Sequence, residues 1–167
     1  MLEASFVVTR LVAWHRTVRK QLVRARKLHF LDTGLAANLL GITSPEQLTY
    51  HPLRGALFES WVVSELVQTT TQQGRFDRFF HYRDAKQLEV DLVVESPEAI
   101  SLVEAKSGAT VAGEFFDALR KLGDATNEPS KLVLRWVVYG GDAEQRRTDC
   151  TVLPWREVAR ALSSQHG

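Results

Sequence analysis

Glu89-Val90-Asp91-Leu92-Val93-Val94-Glu95-Ser96-Pro97-Glu98-Ala99-Ile100-Ser101-Leu102-Val103-Glu104-Ala105-Lys106 is the stretch that decides how this chain is read. Two apolar runs flank a short connection. Pro97 and its neighbours mark a turn, so the stretch is expected to form two strands joined as a hairpin. Each run carries charge where a plain core strand would not. Alternation puts Asp91 and Val93 on one face of the first strand, and Glu104 and Lys106 on one face of the second. Asp91, Glu104 and Lys106 would then converge at one end of an adjacent strand pair.

Two carboxylates suit a hard divalent cation such as Mg²⁺, which prefers oxygen ligands and keeps several of its waters. A lysine beside them would orient or help deprotonate an attacking water, while the cation lowers that water's pKa and offsets charge on a phosphoryl oxygen. Together these groups suit phosphodiester hydrolysis. A surface hairpin with cross-strand ion pairs, each contributing about 0.2–1 kcal/mol, accounts for the same residues. Spacing alone does not separate the two readings.

The Asp91…Glu104-x-Lys106 pattern resembles the PD-(D/E)XK nuclease core, including its archaeal Holliday-junction-resolvase branch. More closely, the chain resembles the C-terminal, nuclease-like part of a large prokaryotic group of predicted AAA-type ATPases. The matching residues are Lys27-Leu28-His29-Phe30-Leu31-Asp32-Thr33-Gly34-Leu35, His51-Pro52-Leu53-Arg54-Gly55-Ala56-Leu57-Phe58-Glu59, Tyr82-Arg83, Glu89-Val90-Asp91 and Glu104-Ala105-Lys106-Ser107. The resemblance covers nearly the whole chain. It implies Asp91 and Glu104 as ligands of Mg²⁺ or Mn²⁺, the carbonyl of Ala105 as a further ligand, Lys106 at the attacking water, and Glu59 at the rim. It also implies an ATPase module in the same longer protein, of which this chain would be a piece.

The 167 residues fit one domain with a buried core and a small appendage. No run approaches a membrane span, and no secretory leader precedes the first strand. The formal net charge of +1 gives no global case for nucleic acid. The single cysteine, Cys150, has no intramolecular partner, so a cytoplasmic protein is expected.

Residues 1–30 stand apart as a basic arm or β-ribbon. Ser5 to Val12 reads as a strand, and Arg24, Arg26 and Lys27 follow among other basic residues, with Glu3 the only acid before Asp32. Such an arm suits phosphates; a solvated ribbon or a docking surface accounts for it equally. The resemblance makes it a remnant of a winged-helix domain. Phe6, Val8 and Leu11 would then be exposed and favour a homodimer. Residues 31–167 form the nuclease-like domain. Asp32 reads as a cap for a helix from Leu35, and Ser44-Pro45 as the start of another. Arg54 to Thr70 is the strongest helix, with Leu57, Phe58, Trp61, Val62 and Leu66 at helical spacing. Glu59 lies on it, and is either a site acid or a solvent-facing one. Arg54 would contact substrate or cap the helix. Arg83 would hold a phosphate or pair with Glu89.

Further along, Gly113 to Ala125 reads as an amphipathic helix. Lys131 to Tyr139 reads as a strand buried on both faces, Cys150 to Leu153 as a last short strand, and Pro154 to Leu162 as a last helix. Helix, three strands, helix and two strands give an α/β fold with a mixed central sheet flanked by helices. That order agrees with a restriction-endonuclease-like core. A phosphate-binding loop of the Gly-x-x-x-x-Gly-Lys-[Ser/Thr] type is absent, so no ATPase activity is expected of this chain. Two functions stay open: a metal-dependent nuclease acting on nucleic acid, DNA first, or an inactive nuclease-fold module that binds DNA or a protein.

Overall fold

In the computed structural model, residues 6–15, 26–126 and 128–159 are described. The strands are β1 (Val8–Ala13), β2 (Lys27–Phe30), β3 (Arg78–Arg83), β4 (Glu89–Glu95), β5 (Ala99–Lys106), β6 (Leu132–Tyr139), β7 (Gln145–Arg146) and β8 (Thr151–Pro154). The helices are α1 (Thr33–Leu39), α2 (Pro45–Tyr50), α3 (Arg54–Gln72) and α4 (Asp117–Ala125). One mixed sheet runs in the order β2-β1-β3-β4-β5-β6-β8-β7.

β3, β4 and β5 form the expected antiparallel meander. Ser96 closes the turn between β4 and β5: its N–H donates to Ala99 O at 2.9 Å, and its Oγ accepts from Ala99 N at 3.0 Å. α4 then carries the chain over the sheet, so that β6 lies parallel to β5, and β8 lies parallel to β6. The caps fall where the sequence puts them. Asp32 Oδ1 accepts from Leu35 N at 2.9 Å, and Ser44 Oγ accepts from Gln47 N at 3.4 Å.

Both faces of the sheet are covered. Phe116, Leu119 and Leu122 pack on Val90, Val93, Ile100, Leu102 and Val137. Val62, Val63 and Leu66 of α3 pack on Leu92, Val94, Val103 and Val138. Each fully buried aliphatic side chain of this kind contributes about 1.5–3 kcal/mol. The Gly113 helix begins as a 3-10 turn and becomes α-helical at Asp117. β6 is buried only at Val137, Val138 and Tyr139, and Leu132 is exposed, so the expectation of burial along its whole length fails from Leu132 to Trp136. The final helix expected through Leu162 is seen from Trp155 to Ala159; its remainder lies outside the described residues.

The N-terminal ribbon is built into the sheet. Val8, Thr9, Arg10 and Leu11 pair antiparallel with β2, while Val12 and Ala13 pair parallel with Phe80 and His81 of β3. Val8 and Leu11 are buried at 4% and 1% exposure, and Leu11 packs with Val62 and Leu66. This corrects the expectation that both are exposed; Phe6 alone of the three is, at 80%. The reason is that β1 has partners on both edges and α3 across its face.

Leu11→Ala is expected to destabilise the protein by about 2–5 kcal/mol. Phe6→Ala is expected to stay within about 0.5 kcal/mol of the parent. Urea denaturation checks both. Equal, small effects would show that β1 is not part of the folded core.

Candidate functional site

The site forms at the end of β5 and the start of β4. Phe80 pairs with Val93 and Tyr82 with Val90, so two steps along β3 span three along β4. The extra residue is a bulge at Asp91–Leu92, a device that re-aims side chains. Val90 and Val93 consequently pack in one cluster, and Leu92 and Val94 in the other. Simple alternation, which puts Asp91 and Val93 on one face, is therefore corrected. Asp91 Oδ2 accepts from the backbone N–H of Ala105 at 2.9 Å, which fixes the carboxylate against β5. Ala105 thus enters the site through its N–H. On either side of it, Glu104 Oε1 accepts from Lys106 Nζ at 2.5 Å. The Lys106 ammonium also lies over the Phe115 ring, 5.5 Å from its centre.

Glu59 reaches the same site from α3. Arg54, at the start of that helix, donates from Nη2 to Ser107 O at 2.7 Å and so ties α3 to the end of β5. Gly140 stands behind this point. Its N–H donates to Lys106 O and Gly108 O, each at 3.0 Å. A Cβ there would meet Ser107 O at 2.4 Å, so no side chain fits.

β2 lies in the matching stretch Lys27 to Leu35, but its place beside the acids was not legible in the sequence. Lys27 Nζ lies 2.5 Å from Glu59 Oε1, 2.9 Å from Glu89 Oε1 and 3.7 Å from Asp91 Oδ1. His29, on the same face of β2, is buried; its Nδ1 is 3.4 Å from Ser60 Oγ and its Nε2 is 3.9 Å from Glu59. Ser64 Oγ donates to Leu31 O at 2.6 Å and completes the seam between α3 and the strand end. Helical spacing of apolar residues cannot point to Ser60 and Ser64, because both are polar. Lys27 reads as one more basic residue of an arm.

Four carboxylates, Glu59, Glu89, Asp91 and Glu104, thus surround two ammonium groups. Fully ionised, they leave an excess of negative charge. Burial, and then Glu59, push Asp91 up to about 6. Burial, and then Asp91, push Glu104 up to about 7, against the pull of Lys106. Burial raises Glu59 as well, despite Lys27. Burial opposes charge on Lys27 and Lys106, but their carboxylate partners outweigh it and raise both. Burial and the Lys27 charge depress His29 to about 4, which leaves it neutral at pH 7. Lys106 is therefore a firmly held ammonium, suited to orient and stabilise an anion rather than to accept a proton.

The donor set is hard oxygen, as Mg²⁺ or Mn²⁺ prefers. Glu104 Oε2 is buried with no hydrogen-bond partner among the described residues, which leaves a carboxylate oxygen free to take a ligand. Among the described residues, no three His, Cys, Asp or Glu side chains stand together closely enough to hold a metal ion alone. A cation here would lean on water and backbone oxygen, the usual habit of Mg²⁺. The residues fit such an ion on those terms.

Arg83 and Arg26 are exposed. Arg83 Nε donates to Gln87 Oε1 at 3.1 Å within the β3–β4 turn, and its charge also acts on Glu89. Arg24 lies outside the described residues. None of the described helices is long and apolar enough to cross a membrane.

Asp91 and Glu104 ionise less readily folded than unfolded. Their contribution to stability is full below the unfolded values and lost as pH rises through about 6 and about 7. Without divalent cations, the parent is expected to lose more stability than Asp91→Asn between about pH 5 and about pH 8, by on the order of 1–3 kcal/mol. Urea denaturation at both pH values checks this; equal losses would contradict it.

Residues 54–158 match the family model described as a domain of unknown function, DUF4143. Residues 1–46 match a second model of unknown function, DUF8612. The uncharacterized proteins Mb2031c of Mycobacterium bovis and Rv2008c of Mycobacterium tuberculosis are each 31% identical over 94 residues, covering 56% of this chain and 20% of theirs. The chain therefore spans about a fifth of the length of these curated relatives. The DUF4143 match contains Glu59, Glu89, Asp91, Glu104 and Lys106, whereas Lys27 falls in the DUF8612 match. With the first match covering most of its length, the chain belongs to the DUF4143 family.

Proposed function

We propose that this domain is a Mg²⁺-dependent nuclease of the PD-(D/E)XK type that hydrolyses phosphodiester bonds in nucleic acid, DNA first. Glu104 carries the reading: a buried carboxylate with one unpartnered oxygen, beside Asp91 and the Lys106 ammonium. The order α3, β3-β4-β5 meander, α4, β6 supports a restriction-endonuclease-like core. The greater length of the mycobacterial relatives leaves room for a partner module in the same protein, which we take to be an AAA-type ATPase.

Asp91 and Glu104 would hold Mg²⁺ or Mn²⁺, with the Ala105 carbonyl as a further ligand and Glu59 at the rim. A bound ion would polarise a phosphoryl oxygen and lower the pKa of its water. The chain's own residues do the rest. The bulge and the Ala105 N–H hold Asp91 in place. Arg54 and Gly140 fix the end of β5. Lys106, charged and held by Glu104, would orient the attacking water and stabilise the anionic phosphorus centre. Water adds to phosphorus and gives up one proton to solvent, the bond to the leaving sugar oxygen breaks, and that oxygen takes a proton from solvent.

One observation favours a second reading. Lys27 already neutralises part of the pocket, as it would in an inactive nuclease-fold module that binds DNA or a protein.

In assays with Mg²⁺ or Mn²⁺ on duplex, branched and single-stranded DNA, and on RNA, the parent is expected to cleave at least one substrate. Asp91→Ala and Lys106→Ala should each lower the rate about 10²-fold or more. Unchanged cleavage by both variants would assign the activity elsewhere, and cleavage of none of the substrates would favour the binding module.

A further inference from the structure

Lys27 is the group that the nuclease reading leaves unused. Its ammonium joins Glu59 of α3 to Glu89 and Asp91 of β4, at 2.5, 2.9 and 3.7 Å, with its side chain 28% exposed. It arrives on β2, an outer strand of the sheet, far away in sequence. Both oxygens of Asp91 therefore face donors. Oδ2 takes the Ala105 N–H, and Oδ1 faces Lys27 at 3.7 Å, too far for a hydrogen bond. Glu104 has Lys106 on Oε1 and, among the described residues, no hydrogen-bond partner on Oε2.

A divalent cation held by Asp91 and Glu104 would use the oxygens that remain, and Asp91 Oδ1 is the one that Lys27 faces. Two cations on one carboxylate repel strongly in a buried pocket. The partners of Lys27 are side chains on α3 and β4, and its long flexible stem leaves the ammonium a short path to solvent.

We propose that Lys27 is a built-in counter-cation of this pocket, which competes with a divalent cation and is expelled from between Glu59, Glu89 and Asp91 when that cation binds. The proposal rests on the metal reading above. It makes the β1–β2 ribbon part of the site, holding the carboxylates in their folded positions in the absence of metal and setting the threshold for loading. The excess negative charge left by four carboxylates and two lysines gives the incoming ion its attraction.

Two measurements on the whole chain test it. In calorimetric titration with Mn²⁺, Lys27→Met is expected to bind about tenfold or more tightly than the parent, one competing charge having been removed. In the unsubstituted protein, acetylation by an amine-reactive reagent is read by mass spectrometry at Lys27, with the exposed Lys86 as reference. Mn²⁺ is expected to speed modification of Lys27 several-fold relative to Lys86. Equal or weaker Mn²⁺ binding by Lys27→Met, with parent binding abolished by Asp91→Ala, would overturn the competition and leave the metal reading standing. No Mn²⁺ binding by either protein would overturn both. Should Lys27→Met fail to fold, the labelling decides alone, and unchanged or slowed modification of Lys27 with Mn²⁺ overturns the proposal.

Discussion

Carboxylates gathered around two lysines, most of them shielded from water, set the terms at this end of the sheet. Removing several acids from water is costly unless cations or hydrogen bonds meet them. Glu59, Glu89, Asp91 and Glu104 receive Lys27, Lys106 and one backbone N–H, and the compensation is incomplete: Asp91 and Glu104 are pushed up to about 6 and about 7. The surrounding structure holds this arrangement in place. The bulge in β4 turns Asp91, Arg54 anchors α3 to Ser107, and Gly140 lets β5 and β6 close behind Lys106. A site that stores uncompensated charge in this way is the kind that functional centres use.

Much of this was legible in the sequence, for identifiable reasons. Asp91, Glu104 and Lys106 are charges inside apolar runs, and the short Ser96-Pro97 connection brings their strands together, so local pattern was enough. Asp32 and Ser44 cap helices through contacts three residues away. Long-range features were not legible. Lys27 meets Glu89 across 62 positions, and a lysine in a basic segment reads as solvated. His29 falls in the matching stretch Lys27 to Leu35, but nothing there assigns it a contact with α3. The bulge changes the parity of β4 without leaving a glycine or proline as a signal. β7, two residues long, is too short for any periodicity. Leu11 looked exposed because α3, which covers it, lies far along the chain.

The N-terminal strands change how the functional reading is framed. A basic arm before a nuclease-like domain suggests substrate contact at a distance. Here Lys27 instead points at the acids, and His29, neutral at pH 7, lies beside Glu59. The segment matched as DUF8612 and the segment matched as DUF4143 thus meet in one pocket. That pocket is where charge, burial and fixed geometry coincide.

The most direct measurement is anomalous diffraction from crystals of the protein soaked with Mn²⁺. The account predicts an anomalous peak bounded by the Asp91 and Glu104 carboxylates, with the Lys27 side chain withdrawn from Glu59. A Mn²⁺-saturated crystal with no peak between those carboxylates, and with Lys27 still on Glu59 and Glu89, would contradict it.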